Sequence, residues 1–182
     1  MPARETDVQH LAWFRRPAPD RPGTLNATYQ LLDRAIVDGR ADDVVLRDPG
    51  TEVSFATLLE ETAALGGVLI GIGVVPGSPV AVRLAPERRA ATALLAVSRI
   101  GAVLDDAADQ VVTEEGVGDV PWDAVQKIGR TDPAPAAVQH ADDPWTTRTT
   151  VLDLAEALGS ATTPLSSEAL VSLLTGRVVP GT

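Results

Sequence analysis

Arg88 and Arg89 sit where chemistry with anions could begin. They follow Pro86 and Glu87 at the expected start of a helix, where free N–H groups and the positive end of the helix dipole favour negative charge. Two guanidinia there could clamp a phosphate or carboxylate; the alternative is a pair of solvated arginines. Other chemistry is poorly supplied. Lys127 is the one lysine and falls in an expected short helix. His10 and His140 are isolated and lack ligand spacing, so no metal site is expected. Asp105, Asp106 and Asp109 crowd together without the glycine and glutamate of a calcium loop, and read as solvated. Cysteine is missing altogether, which removes thiolate catalysis and disulfides and points to a reducing compartment. There is no Gly-x-Ser-x-Gly elbow, and nothing marks one pair of acids for hydrolysis above the others.

The elements that would position these residues follow from periodicity. Val80–Leu84 is a short apolar strand. Pro86 and Glu87 open a helix that turns Ala90, Leu94, Val97 and Ile100 toward a sheet, and Gly101 ends it. Val111–Thr113 return as a second strand, parallel because the crossover is helical. Upstream, Leu25, Tyr29, Leu32 and Ile36 form a helical stripe, with Thr24 or Asn26 as N-cap and Gly39 past its end. Val44–Arg47 and Glu52–Phe55 flank Asp48-Pro49-Gly50 as a hairpin. A helix of residues 55–72 then keeps Leu58, Thr62, Leu65, Leu69 and Ile72 on one face. Its Gly66, Gly67 and Gly71 imply close packing, or else a hinge or ligand approach. Trp122–Ile128, Thr150–Leu158 and Ser167–Leu174 read as short helices, the second with Thr150 and Asp153 at capping-box spacing.

The expected fold is therefore α/β: a partial parallel sheet flanked by helices, with a small N-terminal hairpin. Residues 1–24 read as an extended arm anchored at Trp13 and Phe14, 25–128 as the core, 129–149 as a Pro/Ala/Asp-rich linker and 150–182 as short C-terminal helices. Ala90–Val97 is apolar at every position but Thr92, so that helix needs cover all round and suggests a dimer or partner surface. The chain has 182 residues and a formal charge of -10, which repels nucleic acid and anionic membranes. Its longest greasy run, Ala63–Val75, is shorter than the ~20 residues a membrane span requires. The first residues lack an apolar signal region, so the expected location is cytoplasmic.

The stretch Leu25-Asn26…Tyr29…Leu32-Asp33-Arg34, preceded by Trp13-Phe14 and followed by Pro86-Glu87 and Arg99-Ile100-Gly101-Ala102-Val103, resembles the N-terminal region of AMP-forming short-chain acyl-CoA synthetases, the acetyl- and propionyl-CoA branch of the adenylating superfamily. The resemblance covers roughly residues 11–113 and implies an enzyme that makes an acyl adenylate from ATP and transfers the acyl group to CoA. That chemistry requires a Gly- and Ser/Thr-rich loop with a lysine around the ATP phosphates. Gly159-Ser160-Ala161-Thr162-Thr163-Pro164 resembles such a loop, making Ser160, Thr162 and Thr163 candidate cofactor-binding residues beside Arg88 and Arg89. Its inner glycine is Ala161 and the Gly-Lys pair is missing, while Glu114–Asp119 lacks the basic residues that meet CoA. Neither ATP nor CoA is therefore expected as cofactor, and no catalytic residue is assigned. The resemblance implies a truncated, non-catalytic relative acting through a protein partner or as a homo-oligomer. The alternatives are the N-terminal piece of a split synthetase completed by another chain, and a small anionic-ligand module.

Overall fold

The computed structural model describes residues 8–176. A short 3-10 turn at Val8–His10 leads through an extended arm to β1 (Thr24–Leu25), α1 (Ala27–Leu31) and α2 (Asp33–Val37). The hairpin follows as β2 (Val44–Asp48) and β3 (Thr51–Ser54), then α3 (Phe55–Gly71), β4 (Pro79–Val82) and α4 (Arg88–Arg99). Short strands β5 (Val103–Leu104), β6 (Val111–Val112), β7 (Gly116–Val117) and β8 (Val120–Pro121) come next. The chain closes with α5 (Trp122–Gly129), β9 (Gln139–His140), α6 (Val151–Gly159) and α7 (Ser167–Thr175). The fold is mixed α/β with a partly parallel sheet, in the order β5-β4-β6-β7-β8.

The β4-α4-β6 crossover forms as the sequence implies, with Ala81 and Val82 registered against Val111 and Val112 in parallel. The structure adds β5 on the other side of β4, also parallel. A strand of two residues leaves no period to read. The acidic stretch after Thr113 contains β7, which pairs antiparallel with β6 and β8. Gly116 permits that tight return, since a Cβ there would stand 2.1 Å from the Val120 carbonyl oxygen.

The helix expected from Leu25 to just before Gly39 is two short helices bent at Leu32 (ψ -66), although backbone bonds from Leu32 to Thr28 and from Ile36 to Leu32 bridge the bend. Asn26, not Thr24, is the N-cap, its side chain accepting from the Tyr29 N–H at 3.1 Å. The hairpin, the α6 capping box of Thr150 and Asp153, and the left-handed Gly176 that stops α7 match the sequence reading.

Two expectations are corrected by packing. Ala90–Arg99 of α4 is buried along its whole length, because α3, α1 and α7 of the same chain enclose it. The apolar run Ala90–Val97 finds its cover internally. Residues 129–149, expected as a linker, follow a hydrogen-bonded path over the helices: the Ala134 N–H donates to Ala63, the Ala137 N–H to Arg99, and Gln139–His140 pair with β1. Trp145 is 2% exposed and donates its indole N–H to the Leu174 carbonyl at 2.7 Å. Small alanines there reflect close approach rather than freedom. In the arm, Leu11 is buried and Trp13 packs half-buried against the core, as expected, while Phe14 remains 42% exposed and packs edge-on to Tyr29. The first seven residues of that arm and residues 177–182 lie outside the described part of the chain.

Candidate functional site

A cleft of about 840 Å³ opens where α4 and α7 begin. Sequence dictates both helix starts, but in different ways. At α7, Ser166 caps the Ala169 N–H, and Asp48 from the end of β2 accepts from the Ser167 N–H at 2.9 Å and from the Ser167 hydroxyl. At α4, Glu87 is extended in the N-cap position with no side-chain cap bond, and Arg88 and Arg89 form the first turn. Both arginines line the cleft, as the sequence reading requires of an anion clamp.

Both guanidinia meet groups of the same chain. Arg88 donates from Nε to Glu61 of α3 at 3.2 Å, and its terminal nitrogen reaches the other oxygen of the same carboxylate. Arg89 stacks over the Trp122 ring at 4.6 Å and lies 4.0 Å from Glu114. Glu114 in turn accepts from the Ala85 N–H at 2.9 Å. Beside it, the Thr113 hydroxyl, followed by the backbone N–H of Glu115 itself, holds the Glu115 carboxyl below its ordinary range. Sequence reasoning found the arginines and missed Glu61, Glu114 and Trp122. Those three come from α3, a loop and α5, and no local spacing connects them to Arg88.

Ser160, Thr162 and Thr163 are elsewhere. Ser160 is the C-cap of α6, and Thr163 lines a separate cavity of about 260 Å³ with Arg34, Arg40 and Phe55. Arg40 donates to the Thr163 hydroxyl at 3.4 Å and lies over the Phe55 ring at 5.0 Å. The structure thus brings Arg88 and Arg89 together and separates both from the Gly159–Pro164 loop. Lys127 is exposed in the last turn of α5. Among the described residues no three His, Cys, Asp or Glu side chains converge on a point that could hold a metal.

The remaining motif residues have structural partners. Asn26 donates through Nδ2 to the carbonyls of Arg99 at 3.0 Å and Ala137 at 2.9 Å. Asp33 receives two bonds from Arg99, at 2.7 and 3.1 Å, and the Arg99 Nε–H reaches the Ala134 carbonyl at 2.8 Å. These residues tie α1 and α2 to the end of α4 and to the 134–137 segment.

No family model matches the chain. It is 28% identical to the mitochondrial acyl-CoA synthetase short-chain family member 3 of Mus musculus, over 66% of this chain and 21% of that protein. It is 35% identical to acetyl-coenzyme A synthetase of Coprinopsis cinerea, over 51% of this chain and 14% of that one. About half of this chain is homologous to acetyl- and acyl-CoA synthetases. An uncharacterized protein of Pseudomonas aeruginosa shares 37% identity over 53% of the chain. The solved structure of a Brucella canis acyl-CoA synthetase superposes with a TM-score of 0.59 at 20% identity, covering 76% of this chain and 32% of that one. An anthranilate CoA ligase in complex with anthranoyl-AMP superposes at 0.54 and 19% identity, covering 72% and 33%. At those identities the superpositions show the fold alone. The synthetase-like chain spans about a fifth of the length of the first curated relatives it matches.

Proposed function

We propose that this acyl-CoA synthetase-like fragment is non-catalytic, uses neither ATP nor CoA, and acts in the cytoplasm through contact with another protein. One observation carries the reading. The two features of the sequence that could meet phosphates, the arginine pair and the Gly159–Pro164 loop, line different cavities, and both arginines in the first are engaged by the chain's own groups. A triphosphate needs amides and a free cation converging on one place. Isothermal titration of the full chain with ATP and with a non-hydrolysable acyl adenylate is expected to show no saturable heat up to about 1 mM ligand. Micromolar binding of either would overturn the proposal.

A second reading is favoured by the small share of each relative that the chain covers. The chain would then be the N-terminal piece of a split AMP-forming synthetase completed by a separate chain. In that case, mixing it with the complementing polypeptide restores adenylate formation, measured as pyrophosphate release, and the chain alone shows none.

A further inference from the structure

The cleft at the start of α4 and α7 carries a charge that nothing in the proposed function has used. Asp48, Glu61, Glu87, Glu114 and Glu168 line it, against Arg88 and Arg89. Crediting each of the two helix N-termini with about half a positive charge still leaves the cleft roughly two charges negative. Its sign excludes the anion that Arg88 and Arg89 first suggest.

Three observations say what kind of cation fits. Glu87 and Glu168 are exposed, and among the described residues their carboxylates make no hydrogen bond or ion pair. The acids are spread round the rim rather than converged, and no three of them could share a metal ion. A spread of that kind matches charges carried along a chain. Finally, Leu84, Pro86 and Trp122 supply an apolar wall, and the chain's own Arg89 already lies over the Trp122 ring at 4.6 Å. The face of Trp122 is therefore already covered, and Leu84 with Pro86 is the apolar surface left beside the acids for an aliphatic side chain. A formal charge of -10 adds a long-range pull on any basic partner.

We infer that this cleft is the docking site for an arginine- and leucine-bearing segment of a partner protein, its guanidinia meeting Glu87 and Glu168 while its apolar side chains lie against Leu84 and Pro86. The inference rests on the protein-contact reading above and names the chemistry of that contact.

A fluorescein-labelled octapeptide of alternating arginine and leucine, titrated with the full chain and followed by anisotropy, tests it. Saturable binding is expected, weakening by about tenfold or more between roughly 50 and 300 mM salt. The double variant Glu87→Gln, Glu168→Gln is expected to weaken binding about tenfold, with its melting temperature lowered by no more than a few degrees, because the one interaction each carboxylate loses is with the start of its own helix. Asp20→Asn with Asp119→Asn removes the same charge from exposed positions outside the cleft and is expected to leave the affinity within about twofold. The inference is overturned if no saturable binding occurs, if the distant pair weakens binding as much as the cleft pair, or if spermidine binds as tightly as the peptide. ATP titration of the same preparation separates the two claims. Nucleotide binding sinks the non-catalytic reading, whereas peptide failure alone sinks only the assignment of this cleft.

Discussion

Arg99 holds more of this molecule together than any residue that looks catalytic. Its side chain is 7% exposed and forks onto Asp33 while its Nε–H satisfies the Ala134 carbonyl. Removing one partner of a buried ion pair leaves the other charge uncompensated. Arg99→Ala is therefore expected to cost about 3 kcal/mol in urea denaturation, with Asp33→Asn costing less because an amide still accepts. The Thr62 hydroxyl is the opposite case: fully buried, with no partner for Oγ1 among the described residues. Thr62→Val keeps the shape and removes the unpaired group, so stability is expected to rise by about 1 kcal/mol, read in the same assay. At Glu115 the sign runs through acid. A carboxyl held low in the folded state adds stability above its unfolded range and loses it as pH falls, so Thr113→Val is expected to return the Glu115 titration toward the ordinary value by NMR. The sequence singled out Asn26, Asp33 and Arg99 through their motif positions. That they answer one another across the fold, and not a nucleotide, is visible only once α4 and residues 134–137 are packed.

At the scale of elements, the glycines of α3 divide sharply. A Cβ on Gly67 would lie 2.2 Å from the Asp132 carbonyl oxygen, and one on Gly66 2.8 Å from the Ala134 Cβ. Close packing is thus the reason for both, against residues 132–134 and the end of α4. Gly129 at the end of α5 is tighter still, with its Cβ position 1.9 Å from the Ala64 carbonyl oxygen. Gly71 meets nothing within 4 Å. Gly67→Ala is expected to destabilise by about 3 kcal/mol or more, because rigid backbone must move. Gly71→Ala should stabilise by up to ~1 kcal/mol, because only the helix propensity changes. Thermal melts of the two variants in parallel check the contrast. The α6 capping box was legible from spacing alone, since Thr150 and Asp153 exchange bonds within a single turn. Thr150→Ala is expected to cost about 1 kcal/mol in chemical denaturation.

For the molecule as a whole, what matters is which surfaces are spent internally. Helix α4 looked in sequence like an interface, yet α1, α3 and α7 close over it, and no helix among the described residues is long and apolar enough to cross a membrane. The acid-rimmed cleft remains as the place where contact with another protein is proposed. The sequence by itself determined the order of the principal strands and helices, their caps and the parallel crossover, because periodicity and capping act within a few residues of chain. It also determined the kinship with acyl-CoA synthetases, because the motif residues are read by type and spacing. Only the tertiary structure decided that Asn26 reaches carbonyls 73 and 111 positions away, that Glu61 meets Arg88, and that Arg88 and Thr163 face different cavities. Those outcomes depend on how helices stack against each other, and stacking brings together side chains that share no local pattern.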